Sequence, residues 1–147
     1  MWQRYIIKIQ IQFRNKSKEN LLKINQLTIK IMIKDYQEIK DVIMLYTNGC
    51  ATGDVELTKK AFHKDAIMYG YLNGELSAGS IENLYAAIRT LGAAPDTKVQ
   101  VDILECIGTA ATVRVVLENW HGLSFTDFHS LLKIEGKWTI VSKVFHQ

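Results

Sequence analysis

The sequence predicts an α+β domain, with helices in its first half and a curved antiparallel sheet in its second. Two observations carry that expectation. Apolar residues recur at helical spacing as far as Leu91, and after Pro95 the period changes to two over four successive segments. Those segments are joined by glycine-containing pairs suited to tight hairpins, so each folds back on its neighbour. A chain of 147 residues, 48% hydrophobic and 22% charged, is long enough for one domain with its own core.

The first 31 residues stand apart. They carry seven Lys or Arg against one acid, Glu19, a balance of +6, and contain no Ala, Gly, Val, Asp or Pro. The remaining 116 residues hold eleven bases and fourteen acids, so the formal +3 of the chain conceals a −3 domain. So sharp a step marks a boundary: residues 1–31 read as a basic extension outside the fold, with the true start at Met32, and residues 32–147 as the domain. Within the extension, Met1–Ile11 alternates loosely enough for an edge strand, and Leu21–Ile33 suits a short helix. Lys8, Gln10 and Gln12 interrupt its apolar runs, so it is not a secretory signal.

From Met32 onward the elements follow in order. Ile39, Val42, Ile43, Tyr46 and Cys50 share one helical face, with Asp35 as a candidate cap and Asn48-Gly49 as a stop or bend. Asp54 caps a second short helix over Val55–Phe62. Ala66–Tyr71 and Glu75–Ala78 flank Asn73-Gly74, a hairpin-turn pair. Ser80 opens a third helix through Ile81, Leu84, Tyr85, Ile88 and Leu91, and Gly92 stops it. Strands follow around Val99–Ile103 and at Thr112–Trp120, Ser124–Ile134 and Lys137–Phe145.

Several function classes drop out. No run of 18 apolar residues predicts a membrane span. Cys50 and Cys106 have no metal-ligand spacing and, with no export signal, read as buried thiols in a reducing cytoplasm. No phosphate-binding glycine loop, Ser-His-Asp order or HExxH motif is present, and the acidic domain offers no case for nucleic acid. The expectation is therefore a cytoplasmic protein with no metal and no cofactor.

Tyr46-Thr47-Asn48-Gly49 with Gly53-Asp54, then Ala61-Phe62-His63-Lys64-Asp65-Ala66, Thr126-Asp127-Phe128, and Gly136-Lys137-Trp138-Thr139-Ile140 leading to Lys143-Val144-Phe145, run in characteristic order. They resemble the nuclear transport factor 2-like superfamily, and within it the group called "putative lumazine-binding" or SnoaL-like. Lys64 stands where that group often has proline, which touches a turn and no chemistry. The resemblance implies a cone-like curved sheet wrapped around a long N-terminal helix with two further helices. It also implies a mostly apolar pocket at the open end and a homodimer through the outer sheet face. Its members include isomerases, dehydratases and cyclases beside proteins with no catalysis, so the fold alone fixes no reaction.

Asp127 and His129 are the candidate catalytic pair, an acid and a histidine two residues apart on one strand face. Burial in an apolar cone raises a carboxyl's pKa, which would suit Asp127 to proton transfer. Tyr46, Met68, Tyr71, Trp120 and Lys143 are the candidate ligand-pocket residues. Ideal register complicates this picture. A two-residue turn at Glu135-Gly136 sets Lys143 opposite Phe128, on the face away from Asp127, unless one bulged residue intervenes. Continued across His121-Gly122, the same count puts Trp120, Glu118 and Arg114 on the Asp127 face and Val113, Val115 and Leu117 on the other. On that count the Asp127 face is the outer one and Trp120 and Trp138 belong to a dimer interface. Two functions follow: a homodimer binding a small hydrophobic or cyclic ligand without turnover, or a cofactor-independent lyase or isomerase using Asp127 and His129.

Overall fold

The computed structural model describes the backbone of residues 2–147 and the side chains of residue 12 and residues 14–147. Its elements are α1 (Trp2–Thr52), α2 (Val55–Lys59), β1 (Phe62–Leu72), β2 (Glu75–Ser80), α3 (Glu82–Leu91), β3 (Lys98–Ile107), β4 (Ala110–Trp120), β5 (Leu123–Ile134) and β6 (Lys137–His146). The order is the expected one. The start of the first helix is not, because α1 is helical from Trp2, so neither an edge strand at Trp2–Ile11 nor a cap at Asp35 forms. The physical reason is that residues 2–35 contain no glycine or proline to interrupt a helix. Two compact units result, one ending at Asp35 and the other spanning Tyr36–Gln147. In the first, Leu21, Ile24, Leu27 and Ile31 are all more than half exposed. Among the described residues no helix is long and apolar enough to cross a membrane.

In the second unit α1 buries Ile39, Ile43, Tyr46 and Cys50, the predicted face. Asn48-Gly49 does not end it, since α1 runs on to Thr52. Gly49 is there for close approach, because a Cβ would overlap Thr58 and the Asp54 carbonyl where α2 packs on α1. The Asp54 carboxylate caps α2 by accepting from the Leu57 amide at 2.9 Å. Ser80 Oγ accepts from the Glu82 amide at 3.3 Å as α3 begins, and Asn73 (φ 51°) turns the first hairpin.

The sheet has six strands in the order β2-β1-β6-β5-β4-β3. It is mixed rather than purely antiparallel, because β1 pairs in parallel with β6. The last strand closes beside the first, which joins the opening hairpin to the four-strand meander. The inner face of the sheet and the helices share one core, which includes Phe62, Val113, Val115, Leu131, Trp138 and Ile140.

Candidate functional site

Register decides which side chains meet. From the Glu135-Gly136 turn, Ile134 pairs with Lys137 and Leu131 with Ile140, as an ideal hairpin requires. The pairing then shifts by one residue: Ser130 faces Ser142, His129 faces Lys143 and Asp127 faces Phe145. Val141 is the extra residue, and its bulge turns Lys143 onto the face of Asp127 and His129. A second shift lies in β4, between Leu117 and Trp120, where Asn119 takes φ 61°. It pairs Val115 with Asp127 and Val113 with His129. Both shifts correct the ideal count. Glu118 and Arg114 face outward, while Trp120 stays inside by virtue of the bulge. The Asp127 face is the apolar inner face, not the outer one.

Four polar side chains therefore meet in the core: Asp127 and His129 are fully buried, Tyr46 is 1% exposed and Lys143 4%. The Tyr46 hydroxyl donates to Asp127 Oδ2 at 2.6 Å, and Lys143 Nζ donates to the Tyr46 oxygen at 3.2 Å. The Lys143 ammonium also contacts Asp127 Oδ1. His129 Nε2 is 3.7 Å from Asp127 Oδ2, too long for a direct hydrogen bond but within range of charge attraction. Neither ring nitrogen of His129 has a hydrogen-bond partner. Its ring instead packs edge-on against Tyr46, with centroids 5.0 Å apart, and against Phe62.

These surroundings set the protonation states. Burial alone raises the Asp127 carboxyl, but Lys143, aided by His129, overcomes it and holds the group well below the usual carboxylate range. The expectation that burial raises Asp127 is thus reversed by a cation that ideal register placed on the other face. Burial lowers His129, with the Asp127 charge opposing that shift and Lys143 adding to it. Burial first, and then the Asp127 charge, raise the Tyr46 phenol well above its ordinary value. The cluster is an ion pair with a neutral phenol and a neutral imidazole.

Tyr46 and Lys143 open onto a cavity of about 130 Å³ in the second unit, with Met68, Leu117, Trp120, Phe125 and Phe145 among its walls. Tyr46, Met68, Trp120 and Lys143 all line this cavity. Tyr71 does not: it is 60% exposed, because its side chain takes the opposite face of β1 from Met68 and Gly70. Asp127 and His129 form no part of the cavity wall and stand behind Tyr46 and Lys143. Trp120 is held by its indole N–H, which donates to the Cys50 carbonyl at 3.2 Å. Trp138 is also buried rather than exposed on the outer face. Sequence reasoning missed Phe145 and Cys50 as cavity residues. Cys50 had a usable signal, lying one helical turn from Tyr46, whereas Phe145 faces inward only through the Val141 bulge. Burial pushes the Cys50 thiol up to about 12, so it stays protonated at neutral pH.

A family model described as "Putative lumazine-binding" matches residues 34–146. The chain belongs to that family. Membership of this family places it in the nuclear transport factor 2-like superfamily, as solved structures also show. An NTF2-like protein from Methylobacillus flagellatus KT is 38% identical, with a TM-score of 0.75 over 78% of this chain and 92% of that one. Another, from Shewanella baltica OS155, is 34% identical with a TM-score of 0.73, over 78% and 94% of the respective chains. A relative named Aldolase FrzH, from Cladobotryum sp, is 33% identical over 79% of this chain and 94% of its own length. The family match begins one residue before the last of the first unit, so the family's fold corresponds to the second.

Proposed function

We propose that this protein is a cofactor-independent enzyme that moves a proton at the carbon beside a carbonyl group. Its substrate is a small, mostly apolar molecule, and the step is the one shared by aldol-type bond making and isomerisation. The observation that carries this reading is the buried Tyr46–Asp127–Lys143 cluster opening onto an apolar cavity. Burying an ion pair costs several kcal/mol per charge before their attraction offsets it. Apolar walls alone bind an apolar ligand, so holding such a cluster behind them suits chemistry better than mere binding. A 33% identical relative named an aldolase supports the same class.

The residues divide the work as follows. Lys143 and Tyr46 are the catalytic residues, since they face the cavity, and the Lys143 ammonium receives the carbonyl oxygen as negative charge develops on it. Asp127 is the base at one remove. As the Tyr46 oxygen takes the substrate proton, the phenol passes its own to Asp127 Oδ2, which leaves Tyr46 neutral throughout. His129 is a positioning residue behind Asp127. The outer face of the same sheet leaves Phe128, Leu132 and Val144 each more than 40% exposed, with Phe128 and Val144 paired across β5 and β6. A second copy of the chain covers that patch in a homodimer. Light scattering tests this part, and a strict monomer at micromolar concentration contradicts it.

The test of the activity is deuterium exchange at the carbons beside the carbonyl of cyclohexanone, followed by NMR in D2O. Wild-type protein accelerates exchange over buffer, and Asp127→Asn and Tyr46→Phe each lower the rate by about 10²-fold or more. Bound cyclohexanone with no accelerated exchange overturns the enzyme reading and leaves ligand binding without turnover.

A further inference from the structure

We infer that Lys143 is a covalent, imine-forming residue: its side-chain nitrogen condenses with the carbonyl carbon of the ligand. This rests on the carbonyl-substrate reading above and goes beyond it, because there Lys143 acts only through its charge. Three structural observations lead to it.

The first is place. Lys143 is 4% exposed, yet it lines an apolar cavity, so a carbonyl group entering there meets its side chain out of bulk water. The second is the pair of groups on Nζ. Asp127 Oδ1 is in contact to take a proton from the ammonium, and the Tyr46 hydroxyl, 3.2 Å away, is placed to protonate the departing oxygen. The third is charge. Asp127 requires a cation beside it in this core, and an iminium on Lys143 supplies that cation as the ammonium does.

The step balances. The ammonium gives one proton to Asp127, and the free amine adds to the carbonyl carbon to form the C–N bond. The carbonyl oxygen takes a proton from Tyr46, which is restored from Asp127, to give a carbinolamine. The C–O bond then breaks as water leaves, taking the second proton from nitrogen, and a protonated imine remains. One carbonyl and one ammonium become one iminium and one water, with the net charge unchanged. The Asp127 ion pair is preserved across the step, so the covalent state adds no unpaired buried charge.

An iminium also lowers the basicity that Asp127 must supply. Asp127 is held as a poor base by the neighbouring cation. A C–H beside an iminium is far more acidic than one beside a carbonyl, so a poor base suffices.

The experiment uses the full chain with acetylacetone, a small diketone whose condensation with an amine gives a conjugated enaminone with a new near-ultraviolet band. The expected result is one adduct per chain, localised to Lys143 by peptide mass mapping. It forms about tenfold or more faster than at exposed lysines such as Lys60 and Lys64, because the cavity holds the diketone against the nitrogen. Lys143→Arg keeps the charge and loses both band and adduct; the mapping on unaltered protein needs no variant and stands even if that substitution fails to fold. Adducts confined to exposed lysines, or none at all, overturn the inference. The two readings fail separately. Cyclohexanone exchange without a Lys143 adduct sinks covalency alone, whereas an adduct without exchange sinks the proton-transfer function and leaves covalent capture.

Discussion

Lys143→Met removes the cation and keeps most of the stem, so its effect isolates charge from packing. Asp127 retains the 2.6 Å hydrogen bond from Tyr46 but loses the ammonium on its other oxygen. Breaking a buried pair from one side costs about 3–5 kcal/mol, against roughly 5–15 kcal/mol for a whole domain. The variant therefore still folds at neutral pH, with a much lower urea midpoint. The pH dependence changes sign as well. In the native protein the folded Asp127 carboxyl lies below its unfolded value of about 3.9. Its contribution is present above that value and is lost as pH falls through the folded one. In Lys143→Met burial, the largest single influence, is opposed only by His129 and raises the folded value above the unfolded one. The contribution is then fully present below the unfolded value and lost as pH rises through the folded one. His129 pulls the same way, since removing Lys143 lets an imidazolium 3.7 Å from the carboxylate form as pH falls. The penalty is larger at neutral pH and shrinks as pH falls. Urea unfolding followed by the buried Trp120 and Trp138 fluorescence measures it across pH, and adding Asp127→Asn recovers part of the loss. A cost below about 1 kcal/mol at pH 7, with a native-like pH profile, refutes the assigned pairing.

Three further outcomes follow from particular contacts. Gly70→Ala places a Cβ into the Phe145 ring and carbonyl on the neighbouring strand, and costs about 1–3 kcal/mol in urea unfolding. Because Phe145 walls the cavity, the variant also binds cyclohexanone more weakly by NMR titration. Deleting Val141 removes the bulge but leaves Ser142–Phe145 on their β5 partners, so Lys143 still faces His129, and circular dichroism and unfolding are expected to show a native-like fold. Removing residues 1–31 lowers total helical signal but leaves the unfolding midpoint of the second unit unchanged, since the family fold begins at residue 34.

The sequence by itself determined the element order and the turns. The spacing of Ile39, Ile43, Tyr46 and Cys50 located the buried helix face, and the pairs at Asn73-Gly74, His121-Gly122 and Glu135-Gly136 located three hairpins, because local backbone preference and periodicity are written in neighbouring residues. The first unit ends at Asp35. Its helical state was less legible, since a segment without breakers continues into the next helix unless something stops it. Faces were not legible at all. A strand's side chains alternate with period two, so a single extra residue reverses every assignment beyond it. Asn119 and Val141 are two such residues, and nothing local marks Val141 as unpaired. Only the tertiary structure decided that Asp127, His129 and Lys143 share the inner face with Tyr46. The physical reason is that burying Val113, Val115, Leu131 and Ile140 together requires both shifts, and they carry the polar residues inward with the apolar ones.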